Sequence, residues 1–331
     1  MGRRLGMAAG KLILYLALQL KDFSIMKHIF PHLAAATSAL ALAFTAPAMA
    51  QEATATPAPT EAAETAAPAL WKVADEDTTI WLFGTVHALP EDVLWYRGEI
   101  AEALGSSDIL VTEIKMDADA MAKMQSAVMT KGVLPEGQTL RGLLNDEQRA
   151  AYEAALAKVD LPPAALDRFE PWYGAMMMAM LPLLKQGYSA EAGVEKVLEG
   201  QMGEGMKRGA LETVEQQLAI FDELPQETQI EFLMETVEGV DEIKAMLDAM
   251  VAEWAEGDAD ELARLMNESM TDPMLAERLL YARNANWAAW IDERLDAPGT
   301  VFVAVGAGHL AGKESVQDKL AALGIETARV Q

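Results

Sequence analysis

At 331 residues, 51% of them hydrophobic, the chain is long enough to bury a sizeable core, and its lack of cysteine excludes disulfides, lipoprotein anchoring and thiolate chemistry. Residues 1–50 hold five Lys or Arg and one acidic residue, which leaves 21 basic and 50 acidic residues beyond them, a net of about −29. A field of that sign repels phosphate backbones and anionic headgroups, so no nucleic-acid partner is expected.

Residues 26–50 have the three parts of a secretory signal peptide: Met26-Lys27-His28 at its start, the apolar residues 33–44, and Ala48-Met49-Ala50 before the cut. Residues 1–25 are therefore expected to be an untranslated upstream segment. Neither 12–20 nor 33–44 reaches the roughly 18 apolar residues that crossing a bilayer requires, so no stable membrane span is expected. The implied location is the periplasm or the exterior. Residues 51–69 are almost wholly Ala, Thr, Pro and Glu, which bury too little apolar surface to order, and read as a disordered linker. Residues 70–331 then form one domain.

That domain opens with a hairpin, residues 71–74 and 79–83 around Asp75-Glu76-Asp77. The runs 80–83, 109–111 and 301–305 are nearly unbroken apolar stretches, the mark of strands buried on both faces. They predict an α/β (α+β) fold with a central, mostly parallel sheet and flanking helices. Between Asp117 and Ala297 the spacing of apolar residues predicts helices over 117–129, 146–158, 171–186, 226–253, 259–268 and 274–295, a large helical insertion. Residues 207–211 interrupt it as a short strand ending at Glu212-Thr213. Met176, Met177, Met178 and Met180 suggest core filling more than a soft-metal or haem site, because helical spacing spreads them around the helix.

Two strands end alike. Gly84-Thr85-Val86-His87 follows the first, and Gly306-Ala307-Gly308-His309 follows the last, its histidine 222 residues on. Beyond residue 50 these are the only histidines. Each motif leads into an amphipathic segment ending Ala-Leu-Gly, at Ala103-Leu104-Gly105 and Ala322-Leu323-Gly324, and then into another strand-like run. We expect two strand–loop–helix–strand units whose loops face each other across one site. Their second strands differ: 108–112 runs into Glu113, whereas 325–330 offers no matching carboxylate.

Open sheets bind ligands outside the carboxyl ends of their strands. His87, Glu113 and His309 all sit at such ends, and two imidazoles plus a carboxylate, with one position left for water, form a ligand set of catalytic metal centres. Gly84 and Gly306 are expected to let the backbone turn sharply off each strand and approach the metal or substrate closely. The competing reading of each motif is a histidine simply hydrogen-bonded in the core. Arg283-Asn284 lies on the helix leading to the second motif, where Arg283 is placed to pair with Glu113, to polarise a substrate carbonyl, or to be solvated. Glu212, from the residues alone, reads as one of many exposed glutamates.

The run Trp81-Leu82-Phe83-Gly84-Thr85-Val86-His87-Ala88-Leu89-Pro90, Glu113, Leu211-Glu212-Thr213 with Gln217-Leu218, Arg283-Asn284, and Val305-Gly306-Ala307-Gly308-His309-Leu310-Ala311-Gly312 together resemble the TraB/PrgY/GumN family over about residues 70–331. That family is similar to the animal Tiki proteins, described as metal-dependent proteases with two G-x-x-H motifs, and more distantly to erythromycin-esterase and ChaN-like folds. The resemblance implies an α/β core with paired motifs around a divalent metal, Mn, Co or Zn, carried onto Gly84, His87, Glu113, Arg283, Gly306 and His309. It implies a peptidase-like hydrolase of a peptide or small-molecule substrate, with His87, His309 and Glu113 holding the metal and Arg283 steadying the oxyanion. Its alternative is a non-catalytic periplasmic protein that sequesters a ligand.

Overall fold

The computed structural model describes residues 66–115, 117–267 and 273–331; the upstream segment, the signal peptide and residues 51–65 of the linker lie outside the described residues. The opening hairpin pairs β1 (Leu70–Ala74) with β2 (Thr78–Thr85), Leu70 opposite Phe83, and Asp75 Oδ1 accepts from the backbone of Asp77 and Thr78 at the turn. Then come β3 (Leu89–Pro90), α1 (Gly98–Gly105), β4 (Ile109–Ile114), α2 (Ala118–Lys131), α3 (Leu140–Leu143), α4 (Asp146–Lys158) and α5 (Pro171–Lys185). β5 (Tyr188–Ser189) pairs with β3, and α6 (Val194–Gly200), β6 (Lys207–Glu212), α7 (Val214–Asp222), α8 (Gln226–Gly239), α9 (Ile243–Glu256) and α10 (Ala259–Asn267) follow. After α11 (Pro273–Ala276), a π-helical turn (Glu277–Tyr281) and α12 (Ala282–Leu295), the chain ends in β7 (Gly299–Gly306), α13 (Val316–Ala322) and β8 (Ala328–Arg329).

The main sheet has the order β6-β4-β7-β2-β1-β8. Its β6, β4, β7 and β2 run parallel, and β1 is antiparallel to both its neighbours. The mixed α/β fold with a central sheet flanked by helices is therefore present. Side chains alternate between two cores: Ile80, Leu82, Val111, Val301, Val303 and Val305 pack on α12 and α13, while Phe83, Leu110, Ile114, Phe302 and Ala304 face the larger helical layer. Coverage of both faces is why the strands read as unbroken apolar runs. Among the described residues no helix is long and apolar enough to cross a membrane.

Two local expectations change and one holds. The helix expected over 226–253 is two, because Glu242 N turns back to Gly239 O at 3.0 Å and the bend carries both Val240 and Ile243 into the core. The last residues of the linker are docked: Ala66 O accepts from Arg97, Ala67 N donates to Ala255 O and Pro68 O accepts from Gln331. Residues 171–183 of α5 are buried without a break, so its four methionines fill the core all round the helix.

Candidate active site

β2 and β7 are neighbours in register, with Thr85 opposite Gly306, so the two G-x-x-H motifs leave the sheet side by side. Neither Gly84 nor Gly306 has positive φ; Gly306 sits at φ −48. Gly84 is required for close approach instead, since a Cβ there would lie 3.0 Å from both Cα and Cβ of Ala307 in the second motif. Trp254 Nε1 fixes the same spot by donating to Gly84 O at 2.8 Å.

His87 is 5% exposed, and its Nδ1 lies 2.5 Å from Glu195 Oε1. The contact is off-line, so no well-aligned hydrogen bond forms. A carboxylate oxygen so close to a ring nitrogen favours a protonated Nδ1 over a second lone pair facing it. Thr85 Oγ1 donates to the same oxygen at 2.7 Å. Glu195 reaches the histidine because Gly193 presses on the His87 carbonyl and Val194 N donates to Val86 O at 3.0 Å. Glu195 is not among the residues that the sequence pattern singles out. Its one signal was Gly193 two residues earlier, in a stretch that also holds Glu191 and Glu199.

His309 ends a 3-10 turn (Ala307–His309) and is wholly buried. Its proton can be placed by following donors. Asn284 Nδ2 donates to Glu314 O at 2.7 Å, which leaves Asn284 Oδ1 to accept from His309 Nδ1 at 2.5 Å. Arginine only donates, so His309 Nε2 accepts from Arg283 Nη1 at 3.1 Å. The imidazole is thus neutral. Burial, then the charge of Arg283, holds its pKa well below the ordinary 6.5, with Glu113 pulling the other way and His87 adding to the depression.

A folded-state pKa below the unfolded value means that the unfolded chain binds the extra proton first. His309 therefore contributes stability above pH 6.5 that is lost as pH falls below it towards the folded value. Thermal melting against pH should show wild type losing up to about 1.4 kcal/mol per pH unit more than His309→Gln in that range. Parallel curves for the two proteins would contradict the neutral assignment.

Glu113, on β4, is 0% exposed. Its Oε1 accepts from Gly306 N at 2.7 Å, and its Oε2 accepts from Gln217 Nε2 at 2.9 Å and Arg283 Nη2 at 2.7 Å. Glu212 is no solvated glutamate: it accepts from Arg283 Nε at 2.7 Å, Arg283 Nη2 at 3.0 Å and Trp287 Nε1 at 3.0 Å. Gln217, quoted in the motif without a role, proves to be a partner of Glu113. The guanidinium of Arg283 also stacks 4.8 Å over the Trp287 ring. A π-helical turn inserts one extra residue into a helix and recurs at functional sites. Here it directly precedes Arg283 and Asn284, adjacent residues that are both buried in this centre.

The donor types at this centre suit a divalent cation, but their arrangement does not. Both nitrogens of His309 and both oxygens of Glu113 already face protein partners, and among the described residues no group of three His, Cys, Asp or Glu is disposed to hold a metal. The site thus draws His309, Glu113, Arg283, Asn284 and Glu212 into one network, while His87 pairs separately with Glu195.

What the fold and site define is an α/β protein whose parallel strands end at a buried carboxylate–guanidinium–imidazole centre. The sequence profile of the TraB/PrgY/gumN family matches residues 69–329, and the chain belongs to that family. No curated protein and no solved structure matches it.

Proposed function

We propose that this protein hydrolyses an acyl bond, peptide or ester, with His87 as general base. The observation that carries the reading is Glu195 at 2.5 Å from His87 Nδ1, with no protein hydrogen bond to Nε2 among the described residues. A carboxylate held on one ring nitrogen fixes the tautomer and stabilises the imidazolium that forms when the other takes a proton. Nε2 would remove a proton from water as its oxygen bonds to the acyl carbon, and would return that proton to the leaving amine or alkoxide.

A cleft of about 400 Å³, walled by Trp95 and Tyr96 and by the charged Glu91, Arg97 and Glu191, is formed by residues that flank His87 and Glu195 in sequence, although neither of those two lines it. Its size and its aromatic wall suit a peptide side chain or a small molecule. The signal-peptide pattern at 26–50 supports a periplasmic or secreted setting. A second reading, a metal-dependent hydrolase with Mn²⁺, Co²⁺ or Zn²⁺ on His87, His309 and Glu113, is supported by the donor types alone.

The test is cleavage of peptide and ester libraries by wild type, His87→Ala and Glu195→Gln, with chelator and with each metal in turn. Loss of about 100-fold or more in kcat/KM for His87→Ala, with a smaller loss for Glu195→Gln, is expected in chelator. Activity only with added metal would favour the second reading. Binding without cleavage under every condition would leave sequestration of a ligand as the function.

A further inference from the structure

We infer that the cation of this centre is the Arg283 guanidinium itself, standing where a divalent metal would otherwise bind, so that the wild-type centre excludes metal and a centre without Arg283 accepts one. It goes beyond the proposed reaction, whose base His87 pairs with Glu195 outside this centre, and it concerns metal binding at equilibrium. Its failure is therefore distinguishable from a failure to find turnover.

Arginine has five N–H donors and no acceptor. At this site they meet five acceptor atoms: Glu212 Oε1 at 2.7 Å, Glu212 Oε2 at 3.0 Å, Glu113 Oε2 at 2.7 Å, Leu279 O at 3.0 Å and His309 Nε2 at 3.1 Å. The guanidinium is fully coordinated, as a metal ion would be. That saturation also removes it as an oxyanion donor, one of the parts open to it from the sequence, unless one of these bonds is surrendered.

Two carboxylates and one imidazole nitrogen converge on a single positive group, and these are the oxygen and nitrogen donors that Mn²⁺, Co²⁺ and Zn²⁺ favour. A divalent ion sharing them with Arg283 would place two cations side by side in a water-poor centre, where their repulsion is poorly screened. Nor can the guanidinium swing aside cheaply, because it lies over Trp287 and between two buried or nearly buried carboxylates. The donors that its removal would leave without a cation are Glu113, Glu212 and His309; they are spaced for a guanidinium, so they would have to close in to bind one ion. His87, held on Glu195, is not one of them.

The experiment equilibrates untagged wild type, Arg283→Ala, Arg283→Met, Arg283→Lys and the Arg283→Ala, His309→Ala double variant with Mn²⁺, Co²⁺ and Zn²⁺ in turn. Retained metal is then counted by elemental mass spectrometry, and melting is followed with and without metal. Wild type and Arg283→Lys are expected to retain no stoichiometric metal. Arg283→Ala and Arg283→Met are expected to gain about one equivalent and a metal-dependent rise in Tm, as binding to the native state requires. The double variant should lose the gain. Stoichiometric metal on wild type, abolished by His309→Ala, overturns the inference without any Arg283 variant having to fold. So does a folded Arg283→Met that holds none.

Discussion

Replacing Glu113 with alanine is expected to lower stability by about 3–5 kcal/mol, the cost of stripping a buried cation of its partner. Glu113 accepts three hydrogen bonds while fully buried, and its removal would orphan Gly306 N, Gln217 Nε2 and one N–H of Arg283 together. Arg283 would retain Glu212, which keeps the loss near the lower end. Glu113→Gln should cost less, since its carbonyl still accepts from Gly306 N while its amide faces two donors. Urea denaturation measures both. A loss under about 1 kcal/mol for Glu113→Ala would rank the pair with solvent-exposed ion pairs and contradict its burial.

Gly193→Ala is the second large effect. The added methyl would lie 2.1 Å from the His87 carbonyl oxygen and 2.8 Å from its carbon, backbone atoms that cannot rotate aside. The segment must withdraw, which breaks the Val194–Val86 hydrogen bond and draws Glu195 off His87. Overpacking and the lost bond together should cost about 2–4 kcal/mol. Activity should fall at least as far as in Glu195→Gln. Gly200→Ala is the control, a glycine of the same helix with open space around it, and should be neutral or slightly stabilising. Equal melting temperatures for the two alanine variants would show that the contact at Gly193 yields freely.

Much of this architecture was legible because it is written in local pattern. Unbroken apolar runs announced the parallel strands, and the confinement of histidine to two matching loops announced where they end. What stayed illegible depends on approach between distant segments. Glu195 becomes a partner of His87 only because Gly193 lets α6 press on the first motif, and nothing local separates it from Glu191 and Glu199. The close approach expected at Gly84 is to Ala307 of the second motif, a neighbour that only both motifs in view can supply. Arg283 was recognised as a candidate, but its saturation was not, because the acceptors come from β4, β6, the turn before α12 and the second motif. The π-helical turn that aims it has a composition any helix accepts.

The strand order also sets a timetable for folding. β7 lies between β2 and β4 in the sheet but far beyond both in the chain, so until it is in place neither strand has its central neighbour. Until then β2 and β4 lack the neighbour that covers these apolar edges, which are of the kind that invite misassociation. Closing so long a loop makes insertion of β7 the natural slow step. Glu113 and Arg283 stay without His309 and Gly306 N until that step is complete, so no partly folded chain carries a working centre.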